Sequence, residues 1–102
     1  MPKTNHEPEI SRMLTLSTAH LSEDTAEKLD KNPETDCLSI TCYPKSEFGW
    51  YVYFDGLPED AIDHLPDDLK AAIHLAKNLQ CGVLCFDCDA EVIPHLCNYE
   101  RN

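Results

Sequence analysis

The sequence contains few positively charged residues and no long hydrophobic run. Eight lysines and arginines stand against nineteen acids, which gives a formal net charge of -11. Because binding to nucleic-acid phosphates requires lysine and arginine, direct binding to DNA or RNA is not expected. No apolar stretch approaches the length of about 18 residues that crosses a bilayer, and residues 1–9 lack the apolar segment of a secretion signal. The sequence therefore predicts a cytoplasmic protein that binds neither nucleic acid nor a membrane.

Motifs for phosphate binding and catalysis are also missing. The chain has only three glycines, and it contains no glycine-rich phosphate loop, nucleophile elbow or solenoid-length repeat. Acids cluster where helices are expected to begin, and there the helix dipole and solubility explain them. We therefore predict that the protein is not an enzyme and needs no cofactor.

Length and composition predict one α+β domain. A chain of 102 residues falls within the usual range for a single domain. Its hydrophobic content of 42% excludes wholesale disorder. Residues 1–11 are polar and interrupted by prolines, so we predict a flexible leader there and a single domain over residues 12–102.

The spacing of hydrophobic residues predicts the element order β-α-β-β-α-α-β-β. This order indicates a small mixed or antiparallel sheet of four to five strands with helices on one face. Leu14 and Leu16 alternate with polar residues in the first strand, and Ser22 is the expected N-cap of a helix that ends before Pro33. The predicted core comprises Leu14, Leu16, Leu38, Ile40, Trp50, Val52, Leu69, Ile73, Leu84 and Phe86.

The two middle strands are predicted to form a hairpin connected by residues 44–49. Tyr43, Tyr51 and Tyr53 lie on the hairpin face opposite the core residues. Amphipathic tyrosine rings at such positions either border solvent or form a docking surface.

Two helices and two strands are predicted after the hairpin. Pro58 and Pro66 each begin a helix, and each is followed by acids in the first turn. An apolar stripe along the second helix continues to Leu79. A strand at residues 83–86 and a return strand at residues 91–93 complete the order.

Six cysteines leave free thiols and a structural zinc site open as alternatives. Disulfides are disfavoured because cytosolic thiols are kept reduced. Cys85 and Cys88 have the C-x-x-C spacing, with Cys81, His95 and Cys97 close by in sequence. Residues three apart in a strand point to opposite faces, so no metal ligand is assigned. Whether Cys81, Cys85, Cys88 and Cys97 bind a metal or are free thiols is left open.

His20 lies between the first predicted strand and the first helix. Side chains at such a junction often reach the edge of a site, so His20 is a candidate for that position. With a nearby thiol or carboxylate it would provide a base for a small enzyme. The simpler interpretation is that His20 packs or caps locally.

Acidic residues concentrate in a stretch without basic residues, between Lys45 and Lys70. Such a run is commonly a solvated surface that keeps a protein soluble. It also fits a surface that imitates nucleic-acid phosphates or docks on a basic partner. The predicted partner-binding residues are Asp55, Glu59, Asp60, Asp63, Asp67, Asp68, Tyr51 and Tyr53.

Five short motifs follow one another in a recognisable order: STAHL at residues 17–21, GW at 49–50, LPDDL at 65–69, CGVL at 81–84 and FDCD at 86–89. In this order and spacing the chain resembles a family of small uncharacterised acidic proteins, a domain of unknown function carried by bacterial plasmids, prophages and phages. The resemblance covers residues 13–99. Members tend to have arginine and glycine where this chain has Cys88 and Ala90, so a metal or redox role for Cys88 would be particular to this chain.

The resemblance implies a context rather than a chemistry, since no catalytic residues are known for the family. Small acidic proteins of mobile elements often act by binding, and some inhibit host restriction or CRISPR systems. The sequence thus predicts protein-protein binding, in the form of an anti-defence inhibitor or nucleic-acid mimic. Its partner would be a host protein with a basic surface, in a nucleic-acid-handling complex. A zinc-stabilised binding module and a small enzyme that uses His20 are the alternatives.

Overall fold

The computed structural model describes residues 12–35 and 40–99. A 3-10 turn at Thr18–His20 separates the first strand from the first long helix. The predicted leader at residues 1–11 lies outside the described residues. The strands and helices are β1 (Met13–Ser17), α1 (Glu23–Thr35), β2 (Thr41–Lys45), β3 (Gly49–Tyr53), α2 (Glu59–Asp63), α3 (Asp67–Asn78) and β4 (Val83–Asp87).

The four strands form one mixed sheet in the order β1-β4-β3-β2. β1 pairs with β4 in parallel, whereas β3 is antiparallel to both β4 and β2. Side chains alternate across the sheet, and one face joins the helices in a single buried cluster. The predicted α+β class, with a small mixed sheet, is confirmed. None of the described helices is long and apolar enough to cross a membrane.

Most of the predicted core is buried. Leu14 and Trp50 are half-buried, and the Trp50 indole N–H donates to Asp30 at 2.8 Å. Leu38 lies outside the described residues, and Leu79 is 46% exposed because α3 has ended before it. The fully buried members of the predicted list are Leu16, Ile40, Val52, Leu69, Ile73, Leu84 and Phe86.

The sequence predicts that the first long helix ends before Pro33. This prediction is wrong, because the helix continues to Thr35. A proline has no N–H, so the carbonyl of Leu29, one turn earlier, loses its usual helical donor. The Cys42 thiol of β2 lies 3.7 Å from that carbonyl and donates to it. The Leu29 carbonyl thus accepts from a thiol of β2 in place of the missing helical N–H.

The predicted return strand at residues 91–93 does not form. β4 lies between β1 and β3, so both of its edges are already paired. A hairpin partner for β4 therefore has no edge to join. Residues 91–93 form an irregular segment instead, and the backbone N–H of Ile93 donates to the His20 ring.

Gly49 opens β3 at a point where the backbone of β4 comes very close. A Cβ atom at this position would lie 1.6 Å from the carbonyl oxygen of Phe86. No side-chain rearrangement relieves such a contact, because the obstacle is backbone. Glycine is therefore required at this position by the pairing of the two strands.

Candidate functional site

The sheet face opposite the helices carries residues from all four strands. We call it the open face. Its three rows, read from β2 to β1, are Thr41, Tyr53, Val83 and Met13; Tyr43, Tyr51, Cys85 and Thr15; and Lys45, Gly49, Asp87 and Ser17. All three hairpin tyrosines predicted on this side are there, as the period-two alternation of the strands requires.

Two tyrosines of the open face contact each other. The rings of Tyr43 and Tyr53 form a T-shaped pair with centroids 5.7 Å apart. The two residues are nevertheless 56% and 41% exposed, respectively. Edge-to-face packing holds each ring in place while leaving much of its surface in water.

Cys85 lies beneath this surface, in the middle row, and is only 2% exposed. The residues beside it are Thr15 on β1 and Tyr51 on β3. Burial raises the pKa of the Cys85 thiol, although Lys45 and a hydrogen bond with Thr15 partly oppose the shift. A neutral, covered thiol is a poor nucleophile, so Cys85 serves as part of the floor of the open face.

Thiol labelling should separate the cysteines by burial. Cys88 and Cys97 are exposed, whereas Cys42, Cys81 and Cys85 are buried. Iodoacetamide added to the folded protein should modify the two exposed thiols first and Cys85 at least about tenfold more slowly, because reagent reaches a buried sulfur only through local opening. Peptide mass spectrometry over a time course measures the rates. Equal rates at Cys85 and Cys88 would contradict the described packing.

One end of the open face is closed by an ion pair across Gly49. The Lys45 ammonium lies 3.1 Å from Asp87, whose other oxygen accepts the backbone N–H of Asp89 at 2.8 Å. These contacts lower the pKa of Asp87, with the Asp89 bond as the larger cause, and the hydrogen bond to Asp87 raises the pKa of Lys45. Both groups therefore stay charged near neutral pH.

Potential metal ligands converge at one place in the part of the chain that the structure describes, on the oxygens and sulfur of Asp87, Cys88 and Asp89. This exposed group lies at the end of β4, where Asp87 is already held by Lys45. Cys81, Cys85 and Cys97 do not join it. The C-x-x-C spacing thus places one cysteine within the sheet and the other in the turn after it.

Two of the predicted partner-binding acids connect elements of the fold. Glu59 on α2 lies 2.6 Å from the Lys77 ammonium of α3, and this contact lowers the pKa of Glu59. Asp68 accepts the backbone N–H of Ser22 and the hydroxyl of Thr25, both at 2.7 Å. The Asp68 carboxylate therefore joins the start of α3 to the start of α1.

The other predicted acids face solvent. Asp55, Asp60, Asp63 and Asp67 are exposed, and Asp67 lies 3.9 Å from the Lys70 ammonium. Within the described residues, no cation lies within 4.0 Å of the remaining three carboxylates. Asp55, Asp60 and Asp63 thus form an acidic segment over residues 55–63 whose charge the fold leaves uncompensated.

An open groove of about 1140 Å³ borders the open face where β3 ends and β4 begins. Arg12, Tyr53, Asp55, Lys77 and Cys81 contribute to its lining. The Arg12 guanidinium donates to the carbonyl of Leu79. Charges of both signs therefore lie along this groove, and it shares Tyr53 with the open face.

His20 lies in the interior, 2% exposed, and not at the edge of this groove. The N–H of Ile93 donates to Nε2 at 3.0 Å, so the ring proton is on Nδ1 and is donated to the carbonyl of Cys97 at 2.8 Å. The N–H of Tyr99 also bonds the carbonyl of Ala19. His20 thus holds residues 93–99 against the junction of β1 and α1.

The order of these features along the chain matches a known family. The family model for the C-terminal domain of DUF5983, a family of unknown function, matches residues 13–101. The chain belongs to DUF5983. No curated protein and no solved structure is significantly similar to it. The matched range contains the whole of residues 13–99, over which the sequence resembles a domain of unknown function.

Sequence patterns predict part of the open face of this DUF5983 domain and miss the rest. Alternation placed Tyr51 and Tyr53 together on one face. Cys85 and the ion pair of Lys45 with Asp87 were not predicted to join them, because their neighbours depend on β4 entering between β1 and β3. Alternation along β4 places Cys85 and Asp87 on the same face of that strand. Only the strand order shows that this face adjoins the tyrosines.

Proposed function

We propose that this domain acts by binding a protein whose contacting surface is basic, and not by catalysis. The observation that carries the proposal is the distribution of charge. Each lysine among the described residues lies within 4.0 Å of a carboxylate. Among the described residues, no cation lies within 4.0 Å of the carboxylates of Asp55, Asp60 and Asp63. The chain as a whole has a formal net charge of -11. A surface of this kind attracts basic proteins and repels nucleic-acid phosphates.

The biological setting of the proposal comes from the family resemblance. The resemblance implies carriage by plasmids, prophages and phages, and such carriage would favour a cytoplasmic protein that inhibits a host defence system, such as restriction or CRISPR. Its partner would then be a nucleic-acid-handling protein whose basic groove accepts the acidic segment as a nucleic-acid mimic. The uncompensated carboxylates of Asp55, Asp60 and Asp63 would take the place of phosphates.

Charge reversal tests this proposal. The triple variant Asp55→Lys, Asp60→Lys, Asp63→Lys changes only exposed carboxylates, so the fold should survive. Binding to a partner isolated with the wild-type protein at low salt should fall at least about a hundredfold, because like charges then face each other. Wild-type binding should also weaken as salt rises, since the Debye length is only about 8 Å at physiological ionic strength. Isothermal titration at several salt concentrations measures both effects.

The matched control reverses three exposed acids outside residues 55–63. Glu23→Lys, Glu27→Lys, Glu91→Lys produces the same change in net charge and should leave the affinity within about threefold of wild type. Asp68 is unsuitable for either variant, because its carboxylate holds Ser22 and Thr25. If both triple variants weaken binding equally, the effect comes from net charge and the acidic segment is not the site. If neither does, the proposed function is wrong.

A further inference from the structure

The open face has no cover among the described residues. The helices pack on the opposite face, and the last described segment, residues 93–99, is held at His20 and Ala19. Met13, Tyr43 and Tyr53 are 50%, 56% and 41% exposed. Exposed aromatic side chains on the neighbouring strands β2 and β3, with an exposed methionine on β1, form the kind of surface found at interaction sites.

The composition of the open face suits binding. Tyrosine offers a large contact area and has few rotatable bonds to immobilise, so it is enriched in protein interfaces. The mutual contact of Tyr43 and Tyr53 restricts the rings before a partner arrives. Beneath them, Val83 and Cys85 are buried and form an apolar floor. The centre of the face is thus both apolar and preorganised.

Charges around the open face select the partner. Its own two charged residues, Lys45 and Asp87, neutralise each other. Glu47 in the hairpin turn and Asp89 after β4 are exposed at one end, and Asp55 follows Tyr53 at the other. Three acids therefore border the face against one arginine, Arg12, at the groove end, so a partner should carry positive charges beside an apolar contact. A second copy of this chain does not fit, because each copy carries -11.

We propose that the open face binds an arginine-bearing segment of a protein. The guanidinium group lies flat against an exposed ring, Tyr43 or Tyr53, and its N–H groups reach the acids at the ends of the face. Arginine suits this arrangement better than lysine because its planar, weakly hydrated cation both stacks on aromatic rings and donates to carboxylates. The inference rests on the proposed function and adds the open face as a second contact surface for the same basic partner.

Peptide titration observed by NMR tests the assignment directly. The probe is a capped seven-residue peptide in which three arginines alternate with valine, added to the isotope-labelled full chain. The backbone signals of Thr15, Tyr43, Tyr51 and Tyr53 should shift, and those of α3 should not. The same peptide with lysine should bind about threefold to tenfold more weakly, because it loses the stacking contact. A glutamate version should not bind.

Substitutions of the two tyrosines distinguish binding at the open face from general charge attraction. The double variant Tyr43→Ala, Tyr53→Ala should lower the affinity for the arginine peptide at least about tenfold. The pair Tyr43→Phe, Tyr53→Phe should restore most of it, since the aromatic rings remain. Tyr99→Ala, which removes another exposed tyrosine away from the sheet, is the matched control and should bind like wild type. Circular dichroism confirms that each variant is folded.

Several outcomes would overturn the inference. These are no binding of the arginine peptide at millimolar concentration, shifts confined to residues 55–63, or equal affinity of the alanine pair and wild type. Preferential binding of a single-stranded oligothymidine to the open face, or a dimer in sedimentation that the alanine pair dissolves, would assign the face to another occupant. If the alanine pair binds the isolated partner normally and the charge-reversed triple variant does not, the proposed function stands and only this surface is wrong.

Discussion

Replacing Gly49 by alanine should destabilise the protein by about 3 kcal/mol or more. The added Cβ would lie 1.6 Å from the carbonyl oxygen of Phe86. β3 would have to separate from β4 or change its register. A slip by one residue turns Val52 outward and Tyr51 into the core, so relaxation in that direction is costly as well. Urea unfolding followed by Trp50 fluorescence measures the loss.

Gly82→Ala is the matched control for this variant. The nearest atoms to its added Cβ are the Cβ and Cγ atoms of Asp55, both at 3.2 Å, so a shift of a few tenths of an ångström in this exposed turn relieves the contact. We expect a change of less than about 1 kcal/mol in the free energy of unfolding. If Gly49→Ala is as mild as Gly82→Ala, β3 and β4 do not approach each other as closely as described.

His20→Ala should cost about 3 kcal/mol, for two separate reasons. The substitution leaves the N–H of Ile93 and the carbonyl of Cys97 without their partner, and it opens a cavity where a fully buried ring had been. Residues 93–99 should then detach from the junction of β1 and α1. Hydrogen exchange should become faster at the amides of Ile93 and Tyr99, while β4 keeps its protection until global unfolding.

His64→Ala serves as the control for this variant. His64 is exposed at the end of α2, and its Nδ1 atom lies 2.7 Å from the carbonyl oxygen of Asp60. The substitution should change stability by less than about 0.5 kcal/mol. Unchanged exchange at Ile93 in the His20→Ala variant would show that the ring is not what holds the C-terminal segment.

Local patterns predicted most of the elements because they depend only on nearby residues. Alternation located β1 and the hairpin, and the apolar stripe of residues 69–76 located α3. Two errors came from interactions between distant residues. The helix continues past Pro33, and a thiol from β2 donates to the Leu29 carbonyl that the proline leaves without a helical donor. The strand at residues 91–93 fails because β4 is already paired on both sides.

The same limit applies to the functional residues. Asp68 looked like one exposed acid among several, but its oxygens bind residues more than 40 positions earlier in the chain. For His20 the sequence left a site edge and local packing as alternatives, and its partners lie 73 and 77 positions later. Sequence periodicity carries no information at such separations. The tyrosines of the open face could be predicted because they lie on two neighbouring strands, β2 and β3.

The position of β4 also sets the order in which the molecule is able to fold during synthesis. β1 leaves the ribosome early, but its sole partner strand in the sheet is β4, which is made last. Until residues 83–87 emerge, the hairpin of β2 and β3 has one unpaired inner edge and β1 has two. The nascent chain therefore exposes its aggregation-prone strand edges through nearly the whole of translation. A chain truncated before residue 83 should be cut freely by proteases, whereas the full chain should be a resistant domain.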